Sequence, residues 1–222
     1  MKVWLAITLL FPTLCFAQKY RFGFSGALLS KEMTGVDKVT EEEGKLVSNT
    51  NFHYGVHFAY MMGNSLQFQM NHLNKNYSFD NTQEIIAGEE AFSITNTQLG
   101  FRWIALSRVA FRLLINFAED LVFTVDSNNQ AVLEQESLIY PSVFYDQIVF
   151  LGGTMYSGFK VGADIGGSGD TIENRQAVHY GVFAVLNAFE INYIVSNITK
   201  ETESLDFTET ESSLQFKYLF RF

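Results

Sequence analysis

The chain has 222 residues, a formal net charge of −9 and 47% hydrophobic residues, yet its mean hydropathy is only +0.05. Its single cysteine, Cys15, excludes a disulfide framework, and past the first residues no run of 18 apolar residues occurs, which excludes membrane-spanning helices. Twenty-two Phe, ten Tyr and only two Pro leave the apolar content aromatic and dispersed, as strands carry it.

Residues 1–17 run from one basic residue, Lys2, through an apolar stretch (Val3 to Phe11) to a small residue, Ala17. That order is a cleaved secretory signal, and the apolar stretch falls short of the roughly 20 residues a spanning helix needs. The mature chain is expected to begin near Gln18, with 18–222 as one domain. Cys15 follows Leu14, where an acylation site would place a small residue, so lipidation is not expected.

Beyond the signal the sequence alternates with a period of two. Phe52, Tyr54, Val56, Phe58 and Tyr60 share one face, and His53, Gly55, His57 and Ala59 the other. Farther on, Val109, Phe111, Leu113, Ile115 and Phe117 oppose Ala110, Arg112, Leu114 and Asn116. Segments at 19–30, 51–61, 65–79, 92–105, 108–121, 137–150, 154–166, 176–186, 189–199 and 211–222 read as strands. Most reach the 9–11 residues or so that a tilted strand needs to cross a bilayer.

The links alternate in length. Short ones at 62–64, 106–107, 151–153 and 187–188 interleave with long ones at 31–50, 80–91, 122–136, 167–175 and 200–210. This predicts an all-β fold: a transmembrane antiparallel up-and-down β-barrel of about ten strands, with both termini at the short-turn rim. Pro141 disturbs the phase of its segment and leaves eight strands as the alternative count, and a soluble β-sandwich is the competing architecture.

The last strand, SSLQFKYLFRF, sets Phe216, Tyr218, Phe220 and the terminal Phe222 on one face. It resembles the C-terminal signal read by the outer-membrane barrel assembly machinery, although a glycine often found inside that signal is missing. Taken with KYRFGFSGALLS, HYGVHFAYMMGNSLQFQM and YSGFKVGADIGGSG, the chain resembles the PorT-like outer-membrane β-barrel family common in Bacteroidetes. That resemblance implies a barrel in the cell outer membrane; the family's best-known member is a type IX secretion component.

Charge sorts strongly by position. The long links and adjoining strand ends carry 5 basic and 21 acidic residues, a net of −16, and the remainder of the mature chain carries 9 and 3, a net of +6. The acidic set reads as a solvated rim facing the outside, with cation or basic-partner binding as the sharper reading. Arg102, Arg112, Lys160, Asp164, Lys217 and Arg221 fall opposite the aromatics and are the expected lumen charges. They fit an interior filled by a polar network better than a wide pore.

No catalytic, cofactor or metal motif is present. His53 and His57 lie roughly 13 Å apart along one strand face, too far to share a metal. His179 with Asp170 is the only pairing worth testing as a general base. The functional expectation is a non-enzymatic interaction or accessory component of a secretion or uptake assembly. Its partners would be outer-membrane lipid, the assembly machinery and other envelope proteins, with no nucleic acid. A narrow channel with a basic lumen is the alternative, and an outer-membrane enzyme the third reading.

Overall fold

Alternating large apolar and polar or small residues give each strand two unlike faces, and a sheet built from such strands can close with its polar face inward. The computed structural model describes residues 20–41, 43–79, 91–125 and 131–221, the side chains of Val125, Ala131 and Arg221 excepted. The expected signal at 1–17, most of the link at 80–91 and Phe222 lie outside the described residues.

The described residues form β1 (Tyr20–Asp37), β2 (Glu43–Val47), β3 (Asn51–Met61), β4 (Leu66–Ser78), β5 (Ala91–Leu106) and β6 (Val109–Val125). They continue as β7 (Ala131–Gly152), β8 (Met155–Asp164), β9 (Asn174–Leu186), β10 (Phe189–Glu201) and β11 (Leu205–Arg221). All pairings are antiparallel, and β11 returns to β1 along its whole length, from Arg21 opposite Arg221 to Asp37 opposite Leu205. β2 lies on the upper part of β1 and β3 on the lower, so the two share one place in a closed wall of ten strands.

Paired residues followed round the wall start at Tyr20 and pass through Tyr60, Phe68, Phe101, Leu113, Val143, Ala163, Val178, Asn197 and Thr210. They regain β1 at Glu32, a stagger of 12 residues (32 minus 20). Ten strands with that stagger tilt by about 40° from the barrel axis.

Turns at 107–108, 153–154 and 187–188 join strands at one rim, where Gly153 (φ 54°) and Asn187 (φ 54°) take the left-handed conformation that tight hairpins require. The first and last described residues, Tyr20 and Arg221, share this rim.

At the other rim the strands run farther than the sequence reading placed them. The supposed long link at 31–50 is mostly β1 and β2, that at 200–210 is mostly β10 and β11, and the described parts of 122–136 belong to β6 and β7. The reason lies on the outer face. On β1 it changes from Phe22, Phe24 and Leu28 to Ser30, Glu32 and Thr34, and on β11 from Phe216 to Thr210 and Thr208. Above that level both faces carry polar residues, and the alternation loses its contrast.

Below it, the exterior is mainly apolar, interrupted on β4 and β5 by His72 and Thr97, which bond to each other at 2.9 Å. Phe24, Phe52, Tyr54, Trp103, Phe111, Leu113, Ile115, Val182 and Tyr193 are all exposed. On β6 this belt runs from Val109 to Phe117, about 20–25 Å once the tilt is allowed for. Aromatic rings gather toward the short-turn rim: Trp103 stacks on Phe111 at 5.8 Å, and Phe111 meets Tyr145 at 5.4 Å. Such a girdle suits a water–lipid boundary.

Pro141 does not interrupt β7. Its carbonyl accepts the Ile165 N–H at 2.9 Å, so its missing donor also faces the β8 side, where β8 has already ended at Asp164. No ladder bond to β6 is lost, and ten strands follow rather than eight.

Candidate functional site

The lumen is filled in layers. Nearest the upper rim, Leu29, Met33, Leu46, Phe79, Phe92, Leu121, Val122, Phe123, Leu133 and Phe207 form an apolar cap. Leu121, Val122 and Phe123 are buried in succession, so both faces of β6 are covered near its upper end. Phe123 stacks on Phe207 of β11 at 5.5 Å, and a Cβ at Gly35 would come within 3.2 Å of the Phe207 ring. Glycine on β1 makes room for that contact.

Beneath the cap lies a buried ion network. Asp120 of β6 accepts from Lys200 of β10 at 2.8 Å, from Arg175 of β9 at 3.0 Å and, more loosely, from Lys31 of β1 at 3.4 Å. Glu209 of β11 binds Lys31 at 2.8 Å and Lys200 at 2.5 Å. Lys200 also donates to the Leu121 carbonyl at 2.8 Å. Arg175 continues to Asp164 at 2.6 Å, and Asp164 takes His179 at 2.9 Å and the Ser142 hydroxyl. Glu211 gathers Lys75 at 2.8 Å and the Tyr77 hydroxyl at 2.7 Å. One carboxylate reaching β1, β9 and β10 can do so only across the interior, so the lumen is occluded at this level. Four cations, Lys31, Lys75, Arg175 and Lys200, meet four carboxylates, Asp120, Asp164, Glu209 and Glu211.

A cavity of about 160 Å³ lies below, lined among others by His57, Asn71, Asn116, Phe144, His179 and Ser196. A smaller one of about 60 Å³ adjoins it toward the short-turn rim, lined by Gln67, Gln69, Arg102, Asp146 and Glu190. Arg112, Lys160 and Lys217 line both. Asp146 accepts from Arg112 at 2.5 Å and from Arg102 at 3.5 Å. Lys160 donates to Asn192 and stands 4.0 Å from Glu190. A Cβ at Gly162 would run into the Phe144 ring, which itself stacks on His179 at 5.3 Å.

Of the lumen charges expected from sequence, Arg102, Arg112, Lys160 and Lys217 thus stand together in the lower chambers, while Asp164 belongs to the network above. The Arg221 side chain lies outside the described residues. Phe216, Tyr218 and Phe220 are exposed on the outer face.

Two expectations need correction. Asp120, Glu209 and Glu211, acidic residues of the long links and adjoining strand ends expected at a solvated rim, are buried inside the barrel, as are Lys31, Arg175 and Lys200 of the same segments. The rim reading fits Glu32, Glu41, Glu134, Asp170, Glu173, Glu203 and Asp206, which are exposed. The pairing of His179 with Asp170 is not formed: Asp170 is exposed in the segment after β8, and His179 binds Asp164 and the Ser196 hydroxyl (2.8 Å). Among the described residues no group of His, Cys, Asp and Glu is arranged to hold a metal. The missed network had one sequence signal: Lys31, Asp120, Lys200 and Glu209 keep the inward parity of their strands.

No protein-family model matches the chain, and neither does any curated protein. Solved structures do resemble it. The outer membrane protease OmpT from Escherichia coli superposes with a TM-score of 0.52 at 8% identity, covering 91% of this chain and 97% of that one. The outer membrane protein AlkL, solved in lipid bilayers, gives a TM-score of 0.45 at 10% identity over 92% of this chain and 90% of its own. At these identities the likeness speaks to architecture alone. With the closed wall, the apolar belt and the polar interior, the likeness to OmpT makes the fold a small closed β-barrel of the kind that outer-membrane proteins adopt.

Proposed function

We propose that this protein resides in the cell outer membrane as a multi-pass barrel. In this reading it acts there as a non-enzymatic interaction or accessory component of a larger envelope assembly for secretion or uptake. The signal-like residues 1–17, the apolar belt and the aromatic C-terminal strand support export and membrane insertion, with Phe216, Tyr218, Phe220 and Phe222 presented to the assembly machinery. By the same reading the termini face the periplasm and the projecting strands the outside, and the pattern shared with PorT-like barrels points to the same class of protein.

The observation that carries the proposal is the occlusion of the lumen by Asp120 and its three cationic partners beneath the Phe123–Phe207 contact. A barrel filled in this way offers its partners the projecting strands and the lipid-facing wall. Within that filled interior, His179 stands between Asp164 (2.9 Å) and the Ser196 hydroxyl (2.8 Å).

The test is fractionation of the native host's envelope, with electrophoresis of unboiled and boiled samples and affinity purification from cross-linked membranes. A heat-shifted band in the outer-membrane fraction, together with a stoichiometric envelope partner, is the expected result. A soluble periplasmic protein would contradict the location. A barrel that purifies alone and cleaves a surface substrate would contradict the role.

A further inference from the structure

We propose that the lower lumen is a binding site for a small oxyanion of the phosphate or sulfate class, held by Arg112, Lys160 and Lys217 where the two cavities adjoin. This inference goes beyond the accessory role proposed above and rests only on the membrane location proposed with it.

It begins with an imbalance. In the upper network four cations meet four carboxylates, but the lower chambers are lined by Arg102, Arg112, Lys160 and Lys217, with Arg21 at their lower end, and by only two carboxylates, Asp146 and Glu190, among the described residues. Positive charge is therefore in excess inside a wall that the proposed location surrounds with lipid. Uncompensated charge in such a place is costly, and an anion drawn from the aqueous rim would relieve it.

The donors are also of the right kind. Asp146 is already shared between Arg102 and Arg112, and both guanidinium groups keep a buried Nε with no hydrogen-bond partner. Guanidinium donors are planar and match the oxygen edges of an oxyanion better than a spherical halide. Lys217 has no ion pair within 4 Å among the described residues, while Lys160 is buried and aligned by Asn192. Arg112 and Lys217 act on Lys160 as like charges, the situation a bridging anion would reverse. Room is sufficient: a water needs about 10–15 Å³ by this measure of volume, and the upper cavity alone offers about 160 Å³.

The experiment is calorimetric titration of the folded, detergent-solubilised barrel with inorganic phosphate, against sodium chloride at matched ionic strength. Saturable one-to-one phosphate binding is expected, weakened about tenfold or more in Lys217→Gln and in Lys160→Gln, as loss of one charge-assisted contact implies. Lys45→Gln on the outer face, where Lys45 pairs only with the exposed Glu32, should bind as the parent does. If Lys160→Gln does not fold, Lys217→Gln carries the test, because that residue has no ion pair to lose. Absence of saturable phosphate heat overturns the proposal. So does a chloride response of equal size, or an equal loss in Lys45→Gln.

Discussion

Asp120 is the residue on which the interior turns. Replacing it with alanine would leave Lys31, Arg175 and Lys200 buried beside one another with one carboxylate fewer, and removing one partner of a buried pair costs about 3–5 kcal/mol. Urea unfolding of the refolded barrel should record that loss for Asp120→Ala. Glu32→Ala, which breaks an exposed pair with Lys45, should cost under about 1 kcal/mol. Equal losses would mean that the buried network is no more than surface chemistry. At the tip of β1, the backbone N–H groups of Thr40 (2.8 Å) and Val39 (2.7 Å) donate to the Asp37 carboxylate and hold it below the usual aspartate range. The turn is therefore favoured at neutral pH and loses that support as acid protonates Asp37. In a pH titration by NMR, the Val39 and Thr40 amides should shift together with a midpoint below that of an unstructured aspartate.

These residues also mark where sequence reading stops. Arg102, Arg112, Lys160 and Lys217 could be placed in the lumen because aromatic neighbours on the opposite face reveal the parity. Lys31, Asp120 and Glu209 have the same parity, but Glu32, Glu119 and Thr210 beside them are polar as well, and such a stretch is indistinguishable from a loop.

At the scale of elements, β6, β7 and β11 do more than span the wall. Their upper ends cap the lumen, with Phe123 against Phe207. Phe207→Ala removes a buried ring, which in a packed core costs about 3 kcal/mol or more. Because the ladder below is untouched, the damage should be local. Limited proteolysis should cut the β6–β7 hairpin sooner in the variant while the heat-shifted band persists. Collapse of the whole barrel would show instead that the cap is part of the folding core. The short turns were legible as elements because glycine and asparagine there serve a stated backbone need, as at Gly153 and Asn187. Continuity of β7 through Pro141 was not, since it depends on β8 ending at Asp164, a fact of tertiary register.

At the scale of the molecule, closure, polarity and filling are separate properties. Closure was visible in the even rhythm of ten segments, and polarity in the sorting of aromatics from charges. Filling was only partly visible, because a contact such as Asp120 with Lys31 joins residues 89 positions apart and is created by the barrel itself. The stagger of 12 residues sets a narrow interior, and the side chains of the cap and the ion network occupy its upper half. The most direct test of this account is single-channel recording of the purified parent protein in planar bilayers. An occluded lumen predicts insertion without discrete conductance steps; reproducible steps of uniform size would mean that an open aqueous path exists where Asp120 and the Phe123–Phe207 cap are described as closing it.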